Sequence, residues 1–131
     1  MKKIFVFALF VLCAAVFSGC ASVETSTRFN GMAPVVANAT GKAHIYSRIS
    51  GLYFFNLPII TGSVANPAAV SFFKDNCSVD PVFFQMNLAA AEMGACGVID
   101  ASSEVTSIPL LLPIFFWNVA EVSGTAVSAA H

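Results

Sequence analysis

Charged residues are scarce in this sequence, and cations are the scarcest of them. Only 10% of the 131 residues are charged, whereas 57% are apolar, and lysine and arginine together number six. Beyond residue 19, four cations stand against seven acids, which gives a formal charge of −3. Nucleic acid is excluded as a partner, because its phosphates require a basic stripe. So few charges on so apolar a chain predict a surface covered by a membrane or by other protein.

Side chains that bind metals or perform catalysis are also few. A structural zinc site needs about four Cys or His ligands at short spacings. Beyond residue 20, the thiols Cys77 and Cys96 and the imidazoles His44 and His131 show no such spacing. There is also no Ser-His-Asp spacing and no glycine-rich phosphate loop. We therefore expect no metal, no cofactor and no enzymatic activity.

Cys77 and Cys96 leave two interpretations open. They flank a predicted helix over residues 81–93 that would be roughly 20 Å long, whereas bridged cysteines need Cα atoms within about 7 Å. A disulfide, which an exported compartment allows, therefore requires the flanking loop to fold back along the helix. In the other interpretation they are two separate small buried hydrophobic residues.

The N-terminal apolar run is shorter than the ~20 residues that a transmembrane helix requires. It covers the fourteen residues Ile4–Phe17 and follows Lys2 and Lys3. A short cationic segment followed by an apolar run of this length is typical of a signal peptide. We therefore expect residues 1–19 to be a signal peptide.

That segment ends in Phe17-Ser18-Gly19-Cys20, which resembles the lipobox of bacterial lipoproteins, although Phe17 stands where an aliphatic residue is usual. The resemblance implies cleavage after Gly19, acylation of Cys20 by palmitate or similar chains, and a membrane partner through this lipid anchor. Because Ala21 rather than Asp follows, the resemblance favours the outer membrane, facing the periplasm. An ordinary secretory signal, with Cys20 a chance neighbour, is the alternative.

Residues 20–41 are small and polar and contain Gly31, Pro34 and Gly41. This composition predicts a lipidated N-terminus followed by a flexible tether. A short edge strand around Pro34–Ala37 is the alternative for part of it.

Residues 42–131 are expected to form one small domain. Ala43–Ile49 alternates between apolar and polar residues, which predicts a half-buried strand. Asp80 and Pro81 predict the start of a helix, with Asp80 as its N-cap. Gly94 predicts the left-handed turn that ends it.

Two more strands are predicted, in Cys96–Ala101 and in Phe115–Ala129. In the second, Ala120, Val122, Gly124 and Ala126 share one face that fits an alanine-rich helix. The predicted fold class is α+β. It has a small antiparallel-type sheet of three to four strands packed on one long apolar helix, in the order strand, loop, helix, strand, loop, strand.

Three short motifs, Gly94-Ala95, Val98-Ile99 and Gly124-Thr125-Ala126-Val127, resemble those of small α+β bacterial domains. Some of these domains are described as heavy-metal binding and assemble as rings, and others are uncharacterised envelope lipoproteins. The resemblance covers about 50 residues and its motifs are packing signals. It implies a fold rather than an activity.

Two apolar segments interrupted by proline, Leu52–Ile60 and Ile108–Trp117, are the least ordinary feature of the sequence. One interpretation is that they pack on each other and on the helix and complete the core. The other is an exposed patch for self-association or membrane contact. Its anchors would be aromatic side chains, because these dominate interface energetics: Phe54, Phe55, Phe115, Phe116 and Trp117.

The sequence therefore predicts a lipid-anchored cell-envelope protein with a structural or protein-interaction role. Its partners would be the membrane and either a second copy of the chain or another envelope protein. The alternative is a periplasmic binding module that responds to a ligand or a metal.

Overall fold

A computed structural model describes residues 21–27, 35–36, 39–111 and 114–129. Within them the helix is too short to cross a membrane. The predicted signal peptide (residues 1–19), Cys20 and His131 lie outside the described residues. The elements, in chain order, are β1 (Ala21–Ser26), β2 (Val35–Val36), β3 (Ala39–Phe54), β4 (Leu57–Gly62), β5 (Val70–Phe72), α1 (Val79–Glu92), β6 (Gly97–Leu111) and β7 (Phe115–Ala129).

All seven strands belong to one antiparallel sheet, with β3 at its centre. The strand order is β5-β4-β3-β7-β6, and β7 pairs with β3 along nearly its whole length. On the other side of β3, three short strands follow one another: β2, then β1, then β4. Strands β3, β6 and β7 are 15 or 16 residues long and form the body of the sheet.

The predicted fold class is wrong, because it gave too few strands and too long a helix. The described residues form a large sheet with one 14-residue helix, not three or four strands on a long helix. The error lies in the two apolar segments with prolines, which were interpreted as loops but continue the strands. Pro58 lies in β4 beside a bulge, and Pro109 lies in β6 at the edge of the sheet. Edge strands and bulges are where a strand tolerates a missing N–H.

The predicted flexible tether is also wrong where the structure describes it. Ala21–Ser26 pairs with residues 44–49 of β3, and Ala21 is buried. Val35–Val36 forms the short strand β2, and β3 already begins at Ala39. The small polar residues of this segment indicated a linker. Strand β1 nevertheless needs few apolar side chains, because only one of its faces is covered.

Helix α1 begins two residues earlier than predicted, with Ser78 rather than Asp80 as its N-cap residue. Asp80 instead lies in the first turn, where its negative charge interacts favourably with the helix dipole. The predicted end is confirmed, because Gly94 has a φ of 67° and its N–H donates to the carbonyl of Ala91. The Lys42 ammonium also donates to the last-turn carbonyl of Met93, 3.1 Å away.

The core lies between α1 and one face of the sheet, which we call the helix face. The largest fully buried apolar side chains are Ile45, Ile49, Val82, Met86 and Val122. Each contributes about 1.5–3 kcal/mol of transfer free energy. The predicted small-residue face of β7 is confirmed, since Ala120, Val122, Gly124 and Ala126 are all buried there.

The helix covers only part of this face. Its N-terminal end lies level with Gly51, where an added Cβ would come 3.0 Å from the Cys77 sulfur. Its C-terminal end lies level with Lys42. The last residues of β3, the first of β7 and the hairpin turns that join them to β4 and β6 extend beyond the helix.

Candidate functional site

The face of the sheet opposite the helix, here the second face, is divided into a polar half and an apolar half. Strand register places paired residues side by side in rows across the sheet. One polar row runs Ser22, Arg48, Glu121, Glu104, and another runs Glu24, Tyr46, Ser123, Ser102. These rows lie over the part of the sheet that α1 backs on the other side.

Arg48 and Glu121 form an ion pair within the polar half, with Nε and Oε1 3.4 Å apart. Glu104 lies directly across from Glu121 on the next strand. Two carboxylates facing each other across a sheet repel, and Arg48 screens only one of them. Burial and a hydrogen bond to Glu121 raise the pKa of Tyr46 above its usual range.

The apolar half begins at Leu52, four residues after Arg48 on β3. One row there crosses five strands without a polar side chain: Phe72, Ile60, Leu52, Trp117 and Ile108. The next row contains Leu57, Phe54 and Phe115. Neither row contains a charged residue, so this end of the second face presents hydrocarbon across the width of the sheet.

The two hairpin turns meet at this end and bring aromatic rings together. The Phe55 N–H donates to the Ile114 carbonyl, 2.7 Å away, and ties the β3–β4 turn to the β6–β7 turn. The ring of Phe54 lies 4.9 Å from that of Phe55 and 5.3 Å from that of Phe115. Phe54, Leu57 and Phe73 line an apolar concavity of about 420 Å³ with Pro58 and Ile59. We call Phe54, Phe55, Leu57, Phe73 and Phe115 the aromatic tip.

Two residues of the aromatic tip have an uncommon backbone conformation. Phe55 has a φ of 51° and Phe73 a φ of 55°. Among the described residues other than glycine, only Asp100 shares a positive φ with them. A bulky side chain pays an energetic penalty in the left-handed region, which Gly and Asn occupy readily. Both rings are nevertheless exposed, at 54% and 80%.

The predicted patch is therefore brought together only in part. Phe54, Phe55 and Phe115 are in contact, and Trp117 lies on the same face, two positions from Phe115 along β7. Phe116 lies on the opposite face, because alternate residues of a strand point to opposite sides, and it packs against the core.

Phe72 and Phe73 belong to the same surface but lie outside the two predicted segments. Leu57 and Ile108 lie within those segments but were not predicted as anchors. The adjacent phenylalanines in a segment interpreted as loop were the available signal.

The second feature is the outer edge of β6. Among the described residues β6 pairs with β7 alone, and every residue from Asp100 to Leu110 is exposed. A bulge at Asp100, whose φ is 52°, interrupts the pairing at one end, and Pro109 lies at the other. Ser102–Ile108 between them is a regular strand, and on its outer side the backbone N–H and C=O groups have no partner strand among the described residues. We call this segment the free edge.

A third feature is a cavity of about 390 Å³ between α1, β1 and the segment after β4. It is lined mainly by apolar side chains, among them Val23, Val64 and Leu88, with Glu92 also contributing. Gln85 also lines it, is 3% exposed, and has no hydrogen-bond partner for its Nε2. Its Oε1 accepts a bond from the Ser47 hydroxyl, whereas the two N–H donors of Nε2 remain available to an acceptor in the cavity.

Tyr53 supports the aromatic tip from beneath, on the helix face. It is 3% exposed, and its hydroxyl donates to the Asp75 carboxylate. Burial, with the bond to Asp75, raises the pKa of this phenol well above its usual range. The side chain therefore stays neutral at physiological pH and holds the segment before α1 against β3.

The described residues contain no group of three His, Cys, Asp or Glu side chains arranged to hold a metal ion. Cys77 is buried and Cys96 exposed, and neither forms a disulfide. The Cys96 thiol donates to the Val127 carbonyl, 3.3 Å away, across to β7. Of the two interpretations left open by the sequence, the structure has the cysteines separate, although only Cys77 is buried.

Comparisons with family models, with curated proteins and with solved structures give no match to this chain. The resemblances to lipoproteins and to small α+β bacterial domains therefore stay predictions, and function has to be argued from the surfaces themselves.

Proposed function

We propose that this chain is a lipid-anchored cell-envelope protein that works by protein–protein contact, and that its contact surface is the free edge. The observation that carries the proposal is a long strand unpaired along one side and exposed on both faces. Sheet edges usually carry lysine, proline or a cover that prevents pairing. Between its bulge and Pro109 the free edge carries no lysine or proline, its one charged side chain is Glu104, and no element among the described residues covers it.

The partner is a second copy of the chain, paired edge to edge and antiparallel. Two-fold symmetry makes one residue face its own copy. With Val105 on the axis, Glu104 faces Thr106 and Ser103 faces Ser107. With Glu104 on the axis, two carboxylates would face each other, which is unfavourable. The sequence of the edge therefore favours the Val105 register, which places apolar side chains together.

Cysteine substitution tests this register. In a Cys96→Ser background, Val105→Cys places two thiols directly opposite each other, at the Cα separation of about 4.5–5.5 Å that a disulfide accepts. We expect a cross-linked dimer on mild oxidation. Ser103→Cys is the matched control, because the two copies of residue 103 are separated along the edge by four residues, about 13 Å. Equal cross-linking of both variants, or of neither, contradicts the proposal.

A charge placed on the axis gives a second readout. Val105→Lys makes two ammonium groups face each other, and native mass spectrometry of the detergent-solubilised protein should show monomer only. Phe84→Lys is the control, since Phe84 lies on the outer face of α1 and is as exposed as Val105, 56% against 53%. A dimer that survives Val105→Lys would show that another surface holds the copies together.

The lipid anchor is tested separately at Cys20. The mass of the mature protein should equal residues 20–131 plus a diacylglyceryl group or a larger acyl modification. Cys20→Ser should abolish that mass and move the protein from the detergent phase to the aqueous phase. Unchanged processing and partitioning in Cys20→Ser would remove the lipoprotein part of the proposal.

The binding module is the second candidate, and the unpaired Nε2 of Gln85 in the cavity favours it. The ligand would be small and mostly apolar with one hydrogen-bond acceptor. Native mass spectrometry of the natively purified protein would then show a retained mass. Ala89→Phe, which fills the cavity, should abolish it, whereas Ala91→Phe on the exposed side of α1 should not. Protein of bare mass would exclude this candidate.

A further inference from the structure

The aromatic tip lies close to the residue where the lipid anchor is proposed. Ala21, the residue after Cys20, pairs with Ile49 of β3. Phe54 follows Ile49 by five residues on the same strand, a distance of roughly 17 Å. Strand β1 is antiparallel to β3, so the chain of β1 runs away from the tip. The N-terminal end of β1, at Ala21, is therefore its end nearest the tip. A lipid on Cys20 would therefore hold this end of the molecule near the bilayer.

We propose that the aromatic tip inserts into the interfacial region of the bilayer, beside the lipid on Cys20. The proposal rests on the lipid anchor of the proposed function and adds a second contact with the same membrane. An anchor followed at once by a paired strand leaves no tether, so the sheet has a fixed end facing the lipid. Aromatic side chains at that end suit the interface, where they are enriched in membrane proteins.

Charge favours the same orientation. The two rows at the apolar end contain no charged residue, whereas Glu24, Arg48, Glu104 and Glu121 lie in the polar half, on the side of Ile49 that faces away from the tip. The nearest cation, Lys74, directly follows Phe73 and is exposed. A lysine beside an inserted ring can reach lipid phosphates with its ammonium group.

The strained backbone is the independent observation. Phe55 and Phe73 occupy left-handed conformations at turn positions where Asn or Gly would fold more easily. Both rings are more than half exposed, so packing within the chain returns little of the cost. Backbone strain that is not offset by packing within the chain is typical of functional positions. A bilayer that takes up the two rings supplies the missing contact.

Trp117 is the sole tryptophan of the chain and lies in the apolar row next to the tip, so it reports on the contact directly. The experiment uses the full, lipidated protein in vesicles of phosphatidylethanolamine and phosphatidylglycerol, with or without bromine on the acyl chains. We expect the brominated lipids to quench Trp117 roughly two-fold, because interfacial groups lie within 5–10 Å of the acyl boundary.

The variant combines Phe55→Asn and Phe73→Asn, which remove both rings and leave residues that accept the left-handed backbone. We expect at least half of the quenching to be lost while the protein remains in the vesicle fraction. The control is Phe84→Asn, which removes an equally exposed phenylalanine from the helix on the other side of the sheet and should leave quenching unchanged.

Three results would overturn the proposal. The first is a wild-type Trp117 that brominated lipids do not quench although the acylated mass is present, which leaves the anchor intact and the tip free. The second is a Trp117 that a dimer shields and that brominated lipids do not quench. In that case a second copy of the chain, and not the bilayer, contacts the aromatic tip. The third is an unmodified Cys20, where the proposed function and this inference fail together, and the protein mass identifies that case.

Discussion

The hydroxyl of Ser47 donates to Oε1 of Gln85, 2.8 Å away, across the interface between the sheet and α1. Both side chains are buried in an otherwise apolar contact. Ser47→Ala would leave the Gln85 amide with less of its hydrogen bonding satisfied, which costs about 1–3 kcal/mol of the free energy of unfolding. Urea denaturation should show a lower midpoint with an unchanged slope.

Replacing both partners should cost less than the single changes predict. In Ser47→Ala with Gln85→Met, no buried polar group is left without its partner, so the double-mutant cycle should give a coupling of about 0.5–3 kcal/mol. Ser123→Ala, on the second face, is the control and should lie within about 0.5 kcal/mol of the wild type. Additive effects at 47 and 85 would mean that the bond contributes nothing.

Three glycines should respond to alanine in a defined order. A Cβ on Gly51 would lie 2.7 Å from the Ile60 carbonyl oxygen, and one on Gly124 would lie 2.5 Å from Cγ1 of Val98. Overpacking of this kind costs about 1–3 kcal/mol. Gly51→Ala should cost more than Gly124→Ala, because backbone yields less than a side chain. Thermal unfolding with Gly97→Ala as control, where nothing lies within 4 Å, checks this; equal midpoints for all three variants would contradict it.

The sequence correctly predicted those parts of the fold that depend on a residue pattern within a single strand or helix. Strand β7 was predicted with its observed bounds, and the face it turns to the helix was predicted from the small residues at alternate positions. Gly94 marked the end of α1, since a left-handed residue there depends on local geometry alone. The predicted N-cap, Asp80, was wrong because Ser78, two residues earlier, is also a residue type favoured at an N-cap.

What the sequence could not predict depends on partners distant in the chain. Whether β1 is a tether or a strand is decided by β3, whose paired residues lie 18 to 28 positions away in the chain. The division of the second face follows from the register of five strands, which no single segment contains. For the same reason Phe116 and Trp117, adjacent in sequence, could be assigned together to a patch although they lie on opposite faces.

Alkaline pH should destabilise the fold through Tyr53. Burial and the Asp75 carboxylate raise the pKa of this phenol in the folded state. Above the unfolded pKa of about 10 the unfolded chain loses this proton first, so the free energy of unfolding falls as pH rises. The decline is at most about 1.4 kcal/mol per pH unit for one group. Below pH 9 the phenol is neutral in both states and contributes no pH dependence.

Tyr53→Phe tests the assignment by removing the titrating group. We expect a loss of about 1 kcal/mol at pH 8 from the missing hydrogen bond, together with a shallower decline between pH 10 and 11.5. Tyr46→Phe is the comparison, because the pKa of Tyr46 is raised less strongly. An equally steep decline in Tyr53→Phe would place the alkaline sensitivity elsewhere. Denaturant midpoints measured across that pH range are sufficient.

Phe55→Asn should raise stability although it removes an aromatic ring. Phe55 is 54% exposed, so little buried area is lost, whereas its φ of 51° suits Asn far better than Phe. Relief of left-handed strain, roughly 1–2 kcal/mol for an ordinary residue, should outweigh the edge-to-face contact with Phe54, about 0.5–1.5 kcal/mol. The net gain should be a few tenths of a kcal/mol to about 1 kcal/mol.

The neighbouring position supplies the opposite expectation. Phe54 is a paired strand residue without a positive φ, and its ring contacts both Phe55 and Phe115. Phe54→Asn loses these contacts and relieves no strain, so it should destabilise the fold by about 1 kcal/mol. Opposite signs at 54 and 55, measured by thermal unfolding in detergent, would show that the ring of Phe55 is kept at the expense of the fold. Losses of equal size at both positions would mean that its ring stabilises the native chain, and the argument from strain to membrane contact would then lose its basis.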